Sequence, residues 1–554
     1  MNPRLKIHHL LLVFALALLP FAATFALQYP DERHYTDGAM QMLRDRDWLV
    51  PKTPELGTAN WLPRFHKPPL AYWVTAASFT TFGVNAFAAR LPFLLASCGT
   101  IFLTWRLARK LTGNPTTALL AAVILASHVQ FIFAATRSIP DALLIFFVTL
   151  GAFGFLRLIA FREFTAGAYW MAYGGAAGAA WSKGLLGAVV VLFAWAFVAV
   201  RERHIGAVKK LLHAPSLGLA ATLVAAWFAY IFHRYGAAAW NGFFSDQVTG
   251  NIHGAWWAPV WRVPAYALVL AVNFLPWSLP AIEGWWRTRG AAATGVPNVA
   301  RQFILAWSAA LVVAFALGNN VSVRYLLPAA PLLAILVADV LAGAGAGRLV
   351  FAPREILKFL LGTLAVLLVA AIFINWQWGL TLPLVLVAAL FLAAGAALAW
   401  GALRRGWFSE LQGVGLALLL IFPLLFFGMS PVALPDLTEQ MAKALEREHL
   451  DPAQPVLFIG SPAKASGVRL FTRGQFTMVR TERLDLSTAT NFAAVLGREK
   501  DLQVLAAYGY RLQPAAVMPR ALPKNDWLPA LREQRLPEAL RNAGEKFILA
   551  TREQ

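Results

Sequence analysis
The sequence predicts a polytopic α-helical membrane protein with a small C-terminal α/β domain. Three observations predict it. Of the 554 residues, 59% are hydrophobic and only 14% are charged, whereas a soluble domain carries about 25% charged residues. Apolar runs of spanning length recur over residues 1–430, and a span needs roughly 17–25 such residues. Over residues 431–554 the pattern changes to short β-like runs between amphipathic stretches. An ordinary soluble enzyme, a disordered chain and a coiled coil are excluded. The single cysteine, Cys98, excludes an internal disulfide and any CxxC metal site.

The elements follow in order. Arg4 and Lys6 precede an apolar run from Leu10 to Leu27, which reads as an uncleaved first span. A polar segment over residues 28–85 comes next, far longer than the usual connection of about 2–8 residues. Within it, Leu70–Gly83 is short and carries Tyr, Trp and Thr, so it reads as a helix lying at the interface. Further apolar runs begin near Ala86, Pro115, Asp141, Ala166, Gly184, Leu217, Pro264, Gln302, Tyr325, Phe359, Leu380 and Leu411. With the first, they predict about thirteen spans. In the tail, Pro455–Ile459 and Lys546–Ala550 read as strands, and Leu437–His449 and Asn491–Leu505 as helices. The length of the tail suits one independent core.

The net charge of +20 divides by position. With the N-terminus in the cytoplasm, the inner loops collect Arg106, Arg109, Lys110, Arg157, Arg162, Arg201, Arg203, Lys209, Lys210, Arg287, Arg289, Arg301, Arg348, Arg354, Lys358, Arg404 and Arg405. This is the bias of the positive-inside rule. An odd number of spans then places the tail outside, in the periplasm of a bacterium, and the protein in the inner membrane. Most of the basic excess therefore reports orientation among membrane lipids, and nucleic acid is set aside as a partner.

A minority of charges gathers on the outer face. The long segment opens with Tyr29-Pro-Asp-Glu-Arg-His-Tyr35 and closes with Arg64-Phe-His-Lys-Pro-Pro-Leu-Ala-Tyr-Trp73. Asp31 and Glu32 suit a helix N-cap and first turn. They equally suit carboxylates facing a cavity as a base or an acceptor-orienting group. Lys67 stands before Pro68-Pro69, which limit its backbone freedom. It reads either as a snorkelling lysine or as a positioned ammonium for a lipid-linked phosphate. Asp141 heads a span after Thr136-Arg-Ser-Ile-Pro140, with Arg137 as a ready ion-pair partner. Lys183, His253, Arg324 and Tyr325 fall at other outer corners. An acid this close to the membrane is a functional candidate by default. No P-loop, GxSxG, HExxH or GxGxxG in a βαβ setting occurs, and no His/Cys spacing signals zinc.

Asp31-Glu32 with Tyr35, Trp48-Leu-Val-Pro51, Lys67-Pro-Pro-Leu with Tyr72-Trp73, the Asp141 corner and Arg324-Tyr-Leu-Leu-Pro328 together form a recognisable set. The set resembles the polyprenyl-phosphate-sugar-dependent glycosyltransferases of the GT-C class. More closely it is similar to glycosyltransferase family 39, which holds the protein O-mannosyltransferases and the bacterial aminoarabinose transferases that modify lipid A. The resemblance covers roughly the first 330 residues by motif and the remainder by layout. It implies a GT-C catalytic domain over residues 1–430 and a periplasmic domain over residues 431–554. It also implies an undecaprenyl-phosphate-linked sugar donor and an inverting displacement onto lipid A or another periplasmic acceptor. Asp31 would be the main catalytic carboxylate, supported by Asp141. Lys67, Arg324, Tyr325 and Lys183 would hold the donor phosphate. Glu32, His34, Tyr35, Arg64, His66, Tyr72 and His253 would line the substrate site. His34, Arg64 and His66 depart from the aminoarabinose-transferase pattern, and Arg64 and His66 make the mouth more basic. No organic cofactor is implied, and a divalent ion at the acids is left open. A lipid-linked-sugar transporter would place its ionisable groups near mid-membrane. The grouping at one face favours the enzyme.

Overall fold
The computed structural model describes residues 5–22, 31–184, 186–245, 258–288, 295–318, 322–344, 352–378, 383–429, 436–520, 522 and 526–552. His253 and the end of the first expected span, with Tyr29 and Pro30, lie outside the described residues. Among the described residues, eight helices are long and apolar enough to cross a bilayer. Two further spanning pairs are bent, Pro115–Ala126 with Val129–Ala135 by 70° and Pro259–Asn273 with Ser278–Arg287 by 105°. Ile7–Pro20 and Gly187–Arg201 are apolar but shorter. Among the described residues every expected apolar run is thus helical, and the polytopic helical class is borne out. The runs are not uniform spans, however. His128 breaks the first bent pair by accepting the Phe131 N–H with its own ring nitrogen at 3.3 Å, and Pro276 lacks the N–H to continue the second.

We label the helices that position the site α1 (Ile7–Ala22), α2 (Glu32–Asp45), α3 (Leu70–Phe82), α4 (Ala86–Thr112), α5 (Pro115–Ala126), α6 (Val129–Ala135), α7 (Asp141–Ile159) and α8 (Ala166–Lys183). α1 is packed into the main helical core through Leu10, Phe14 and Leu18, all fully buried. α3 has 13 residues, which at about 1.5 Å per residue is too short to span. It packs on α2, where Gly38 leaves room for the Tyr72 ring; a Cβ there would stand 2.6 Å from it. α7 and α8 pack most closely of all. Gly154 meets the backbone of Ala172, and Gly175 meets the backbone of Gly151. Small residues let membrane helices approach to backbone contact. The two helices have 19 and 18 residues and run antiparallel, so the first residue of α7 and the last of α8 share one level.

The tail folds as a mixed sheet of β3 (Val456–Ile459), β4 (Met478–Thr481), β5 (Ala494–Arg498), β6 (Tyr510–Met518) and β7 (Glu545–Arg552), in the order β4-β3-β5-β7-β6. A separate hairpin joins β1 (Lys52–Pro54) to β2 (Trp61–Pro63) between α2 and α3. β3 pairs parallel with β4 and β5, and β7 pairs antiparallel with β5 and β6. Val456 and Phe458 enter one core, and Leu457 and Ile459 the other. Coverage on both faces explains a continuous apolar strand without polar alternation. The expected helix Leu437–His449 forms over Leu437–Arg447. The expected helix Asn491–Leu505 is corrected: its first half is β5, and only Glu499–Leu502 begins a helix. A short buried apolar run has no periodicity to separate strand from helix.

The tail sits on the segment between α1 and α4. Arg469 reaches Asp37 of α2 through Nε at 3.0 Å and Nη2 at 2.5 Å, and both residues are buried. Leu470 enters a cluster with Ala39, Ala76 and Phe79. The Gly57 N–H donates to the Arg480 carbonyl at 2.8 Å. The segment between α1 and α4 and the tail therefore occupy the same side of the helical body.

Candidate active site
Asp31 occupies the N-cap position of α2, yet its side chain makes no capping bond. Its Oδ2 instead accepts from Arg324 Nη2 at 2.8 Å, 293 residues away in sequence. The Asp31 carboxylate stays 43% exposed. Asp141 is its opposite, with a side chain only 4% exposed. Lys183 Nζ donates to Asp141 Oδ1 at 2.5 Å, and Arg324 Nη1 stands 3.7 Å from Oδ2. The contact follows from the glycine-lined α7–α8 packing, and Gly184, at φ +77°, turns the chain away just after Lys183. Arg324 comes from the short helix Val323–Ala329 and so bridges both acids. The Tyr325 ring takes Lys183 Nζ on its face at 4.9 Å. The sequence offered Arg137 as the partner of Asp141. The structure places the Arg137 guanidinium over the Phe133 ring instead, at 4.6 Å.

Lys67 enters this cluster from the turn before α3. Burial, then the neighbouring Lys183 charge, lowers its ammonium to about 7, against the pull of Asp141 and Asp31. The Pro68-Pro69 turn feeds α3 directly, with Pro69 as its N-cap residue. The surrounding loop is tied down by aromatic donors. Trp73 Nε1 donates to the Trp48 carbonyl at 2.5 Å, and Trp227 Nε1 to the Leu49 carbonyl at 2.9 Å. The Trp48-Leu-Val-Pro51 motif thus acts through its backbone carbonyls.

Arg64, His34, Tyr35, His66 and Tyr72 form a second layer. Tyr35 and Tyr72 rings lie 4.9 Å apart, and burial, then their mutual repulsion, raises the Tyr35 phenol. Burial, then Arg64, Arg33 and His66, pushes His34 down to about 2. His34 is therefore a neutral hydrogen-bonding group at physiological pH. Glu32 lies apart from the exposed carboxylate. It is fully buried, takes Arg90 Nε at 3.0 Å and Nη2 at 3.2 Å, and accepts the Ser138 N–H at 2.9 Å. Arg90 also donates to the Ala22 carbonyl at 3.1 Å. This triad ties α2 to α4 and to the corner before α7, and sequence reasoning missed it. Its signal was an arginine inside an apolar span.

Two apolar grooves flank α8, one reaching Trp181 and the other Gly184. One, of about 590 Å³, is lined by Leu70, Trp73, Phe147 and Trp181. The other, of about 290 Å³, is lined by Ala180, Gly184, Val191 and Phe228. Among the described residues no group of three or more His, Cys, Asp or Glu gathers at one point. Asp31 and Asp141 face cationic side chains.

The crystal structure of ArnT from Cupriavidus metallidurans bound to undecaprenyl phosphate aligns with a TM-score of 0.68 and 18% identity, over 98% of this chain and 97% of that one. Its apo form gives 0.66 over 98% and 96%. The fold is GT-C. Residues 66–230 also match the family model described as dolichyl-phosphate-mannose-protein mannosyltransferase. An undecaprenyl phosphate-alpha-4-amino-4-deoxy-L-arabinose arabinosyl transferase of Pectobacterium carotovorum subsp. carotovorum (strain PC1) is 28% identical over 354 residues, 61% of this chain and 60% of that one. An uncharacterized protein of Aquifex aeolicus (strain VF5) is 28% identical over 341 residues, 59% of this chain and 64% of that one. The chain spans about three fifths of the length of the curated relatives it matches. The resemblance read from the motifs is borne out. In this GT-C chain the matched stretch carries Lys67, Asp141 and Lys183, and Asp31 and Arg324 join them from outside it.

Proposed function
We propose that the chain is an inverting glycosyltransferase. It moves a sugar from undecaprenyl (polyprenyl) phosphate to an acceptor at the periplasmic face, with a 4-amino-4-deoxy-L-arabinose-type sugar and lipid A as the first pair to test. The observation that carries this reading is the meeting of Lys67, Lys183 and Arg324 with one exposed and one buried carboxylate, beside two apolar grooves. The relatives named as arabinosyl transferases and the neighbour bound to undecaprenyl phosphate support it.

The chemistry follows from the charges. An acceptor oxygen attacks the anomeric carbon, and the bond from that carbon to the phosphate oxygen breaks. The leaving phosphate takes the electron pair and gains one negative charge. Lys67, Lys183 and Arg324 stabilise that charge without reorganising. Asp31, exposed beside Arg324, takes the proton of a hydroxyl acceptor or orients one that is already ionised. Asp141 is a positioning residue that fixes Lys183 and Arg324 from behind. The grooves along α8 are lined to take the polyprenyl chain.

The test is transfer by purified protein from a labelled undecaprenyl-phosphate sugar to lipid A, lipopolysaccharide or periplasmic protein. Asp31→Ala should lose at least about 10²-fold in rate, the scale of acid–base catalysis. Full activity in that variant would remove Asp31 from the chemistry. Transfer to periplasmic protein alone would replace lipid A as the acceptor.

A further inference from the structure
Away from the carboxylate cluster, a cavity of about 340 Å³ opens where α2, β2 and the segment after Pro462–Phe471 meet. Arg44, Arg469 and Arg473 line it, and among the described residues no carboxylate does. Arg469 is 95% buried by its own exposure of 5%. Asp37 takes its Nε and Nη2. Its buried Nη1 has no hydrogen-bond partner among the described residues. With that atom shielded inside the wall, direct contact with a ligand falls to Arg44 and Arg473. The nearby acids are already matched, Asp37 by Arg469 and Asp45 by Lys52 at 2.6 Å. Arg44 and Arg473 are exposed and lie on the lining. The net field of the cavity is therefore positive.

The lining also has an aromatic face. The Trp61 ring lies 5.4 Å from the Arg469 guanidinium carbon, and Phe476 and Thr477 complete that side. Arginine forks match phosphate oxygens, and an indole face beside them suits a sugar ring. Val84, two residues before α4, also lines the cavity, which sets it at the membrane surface.

We infer that this cavity binds a phosphorylated saccharide, at a site separate from the cluster around Asp31 and Asp141. The two sites share no lining residue, and the inference goes beyond the transfer reading without resting on it. The phosphate could arrive on a membrane glycolipid or on a soluble phosphosugar, since the chemistry of recognition is the same.

The test is isothermal titration of the full chain in non-ionic detergent with glucose 1-phosphate. Binding should weaken at least about tenfold in Arg44→Ala/Arg473→Ala, the loss expected for two charge-assisted contacts. Both side chains are exposed, so an unchanged Tm will show that the double variant stays folded. Glucose without phosphate should not bind. Equal affinity in the double variant and the wild type overturns the inference. Binding lost only in Lys67→Ala also overturns it, by placing the phosphate in the carboxylate cluster. Repeating the titration in phosphatidylglycerol and phosphatidylcholine nanodiscs separates the sources. Competition by phosphatidylglycerol that disappears in the double variant supports a headgroup phosphate in this cavity. Equal affinity in both discs supports a phosphosugar alone.

Discussion
At the scale of single residues, exposure separates two acids that look alike in sequence. Asp31 keeps 43% of its side-chain surface, while Asp141 keeps 4%. Lys67 is the residue with the clearest pH consequence. Its ammonium is lowered to about 7, chiefly by burial and then by Lys183. A donor phosphodiester is anionic at every physiological pH, so its arrival favours the charged lysine and raises that value. Binding above pH 7 must then take up a proton. Donor affinity should be greatest below neutrality and fall by up to about tenfold per pH unit above it. Arginine stays charged throughout, so Lys67→Arg should flatten the profile. Titration of the undecaprenyl-phosphate sugar across pH 6 to 9 (roughly the window that brackets the shift) checks this. A slope unchanged in Lys67→Arg would clear Lys67 of the effect.

At the scale of elements, the site depends on how closely helices approach. Gly154 and Gly175 bring α7 and α8 to backbone contact, and only then can Asp141 meet Lys183. Gly154→Val forces a side chain into the Ala172 backbone. Such overpacking costs about 1–3 kcal/mol. The variant should melt earlier and lose donor affinity, and unaltered affinity would mean that the helix spacing does not set the cluster. The Glu32–Arg90 pair holds α2 against α4 in the same way. Arg90→Ala leaves a buried carboxylate without its cation, which costs about 3–5 kcal/mol. Glu32→Gln/Arg90→Met should recover much of that loss in a thermal melt. A double variant no more stable than Arg90→Ala would contradict this role.

At the scale of the whole molecule, the tail grips the helix that carries Asp31. The buried Asp37–Arg469 pair and Leu470 are the grip. Arg469→Ala should lower the Tm and also cut kcat/KM, because α2 begins at the exposed carboxylate. Asp37→Asn on the Arg469→Ala background should restore part of the Tm by removing the stranded charge. Activity that survives Arg469→Ala intact would make the tail a passenger with respect to transfer. The comparison is made on the full chain, by melting curve and by steady-state transfer together.

The sequence alone determined the class of the molecule. Apolar length and charge bias are properties of each run by itself, so the helical segments, the long polar segment between the first two and the separate tail were legible. So were Asp31, Lys67, Asp141, Lys183 and Arg324, because charged residues at the ends of apolar runs stand out. Only the tertiary structure decided the pairing. Asp31 meets Arg324 across 293 residues, Arg469 meets Asp37 across 432, and Arg90 meets Glu32 across 58. Composition carries no trace of which cation faces which acid, since an ion pair is set by the packing that brings two distant segments together. The same reason explains β5. Ala494-Val-Leu is apolar on both faces because a packed core covers each face of the sheet, and that cover is invisible along the chain.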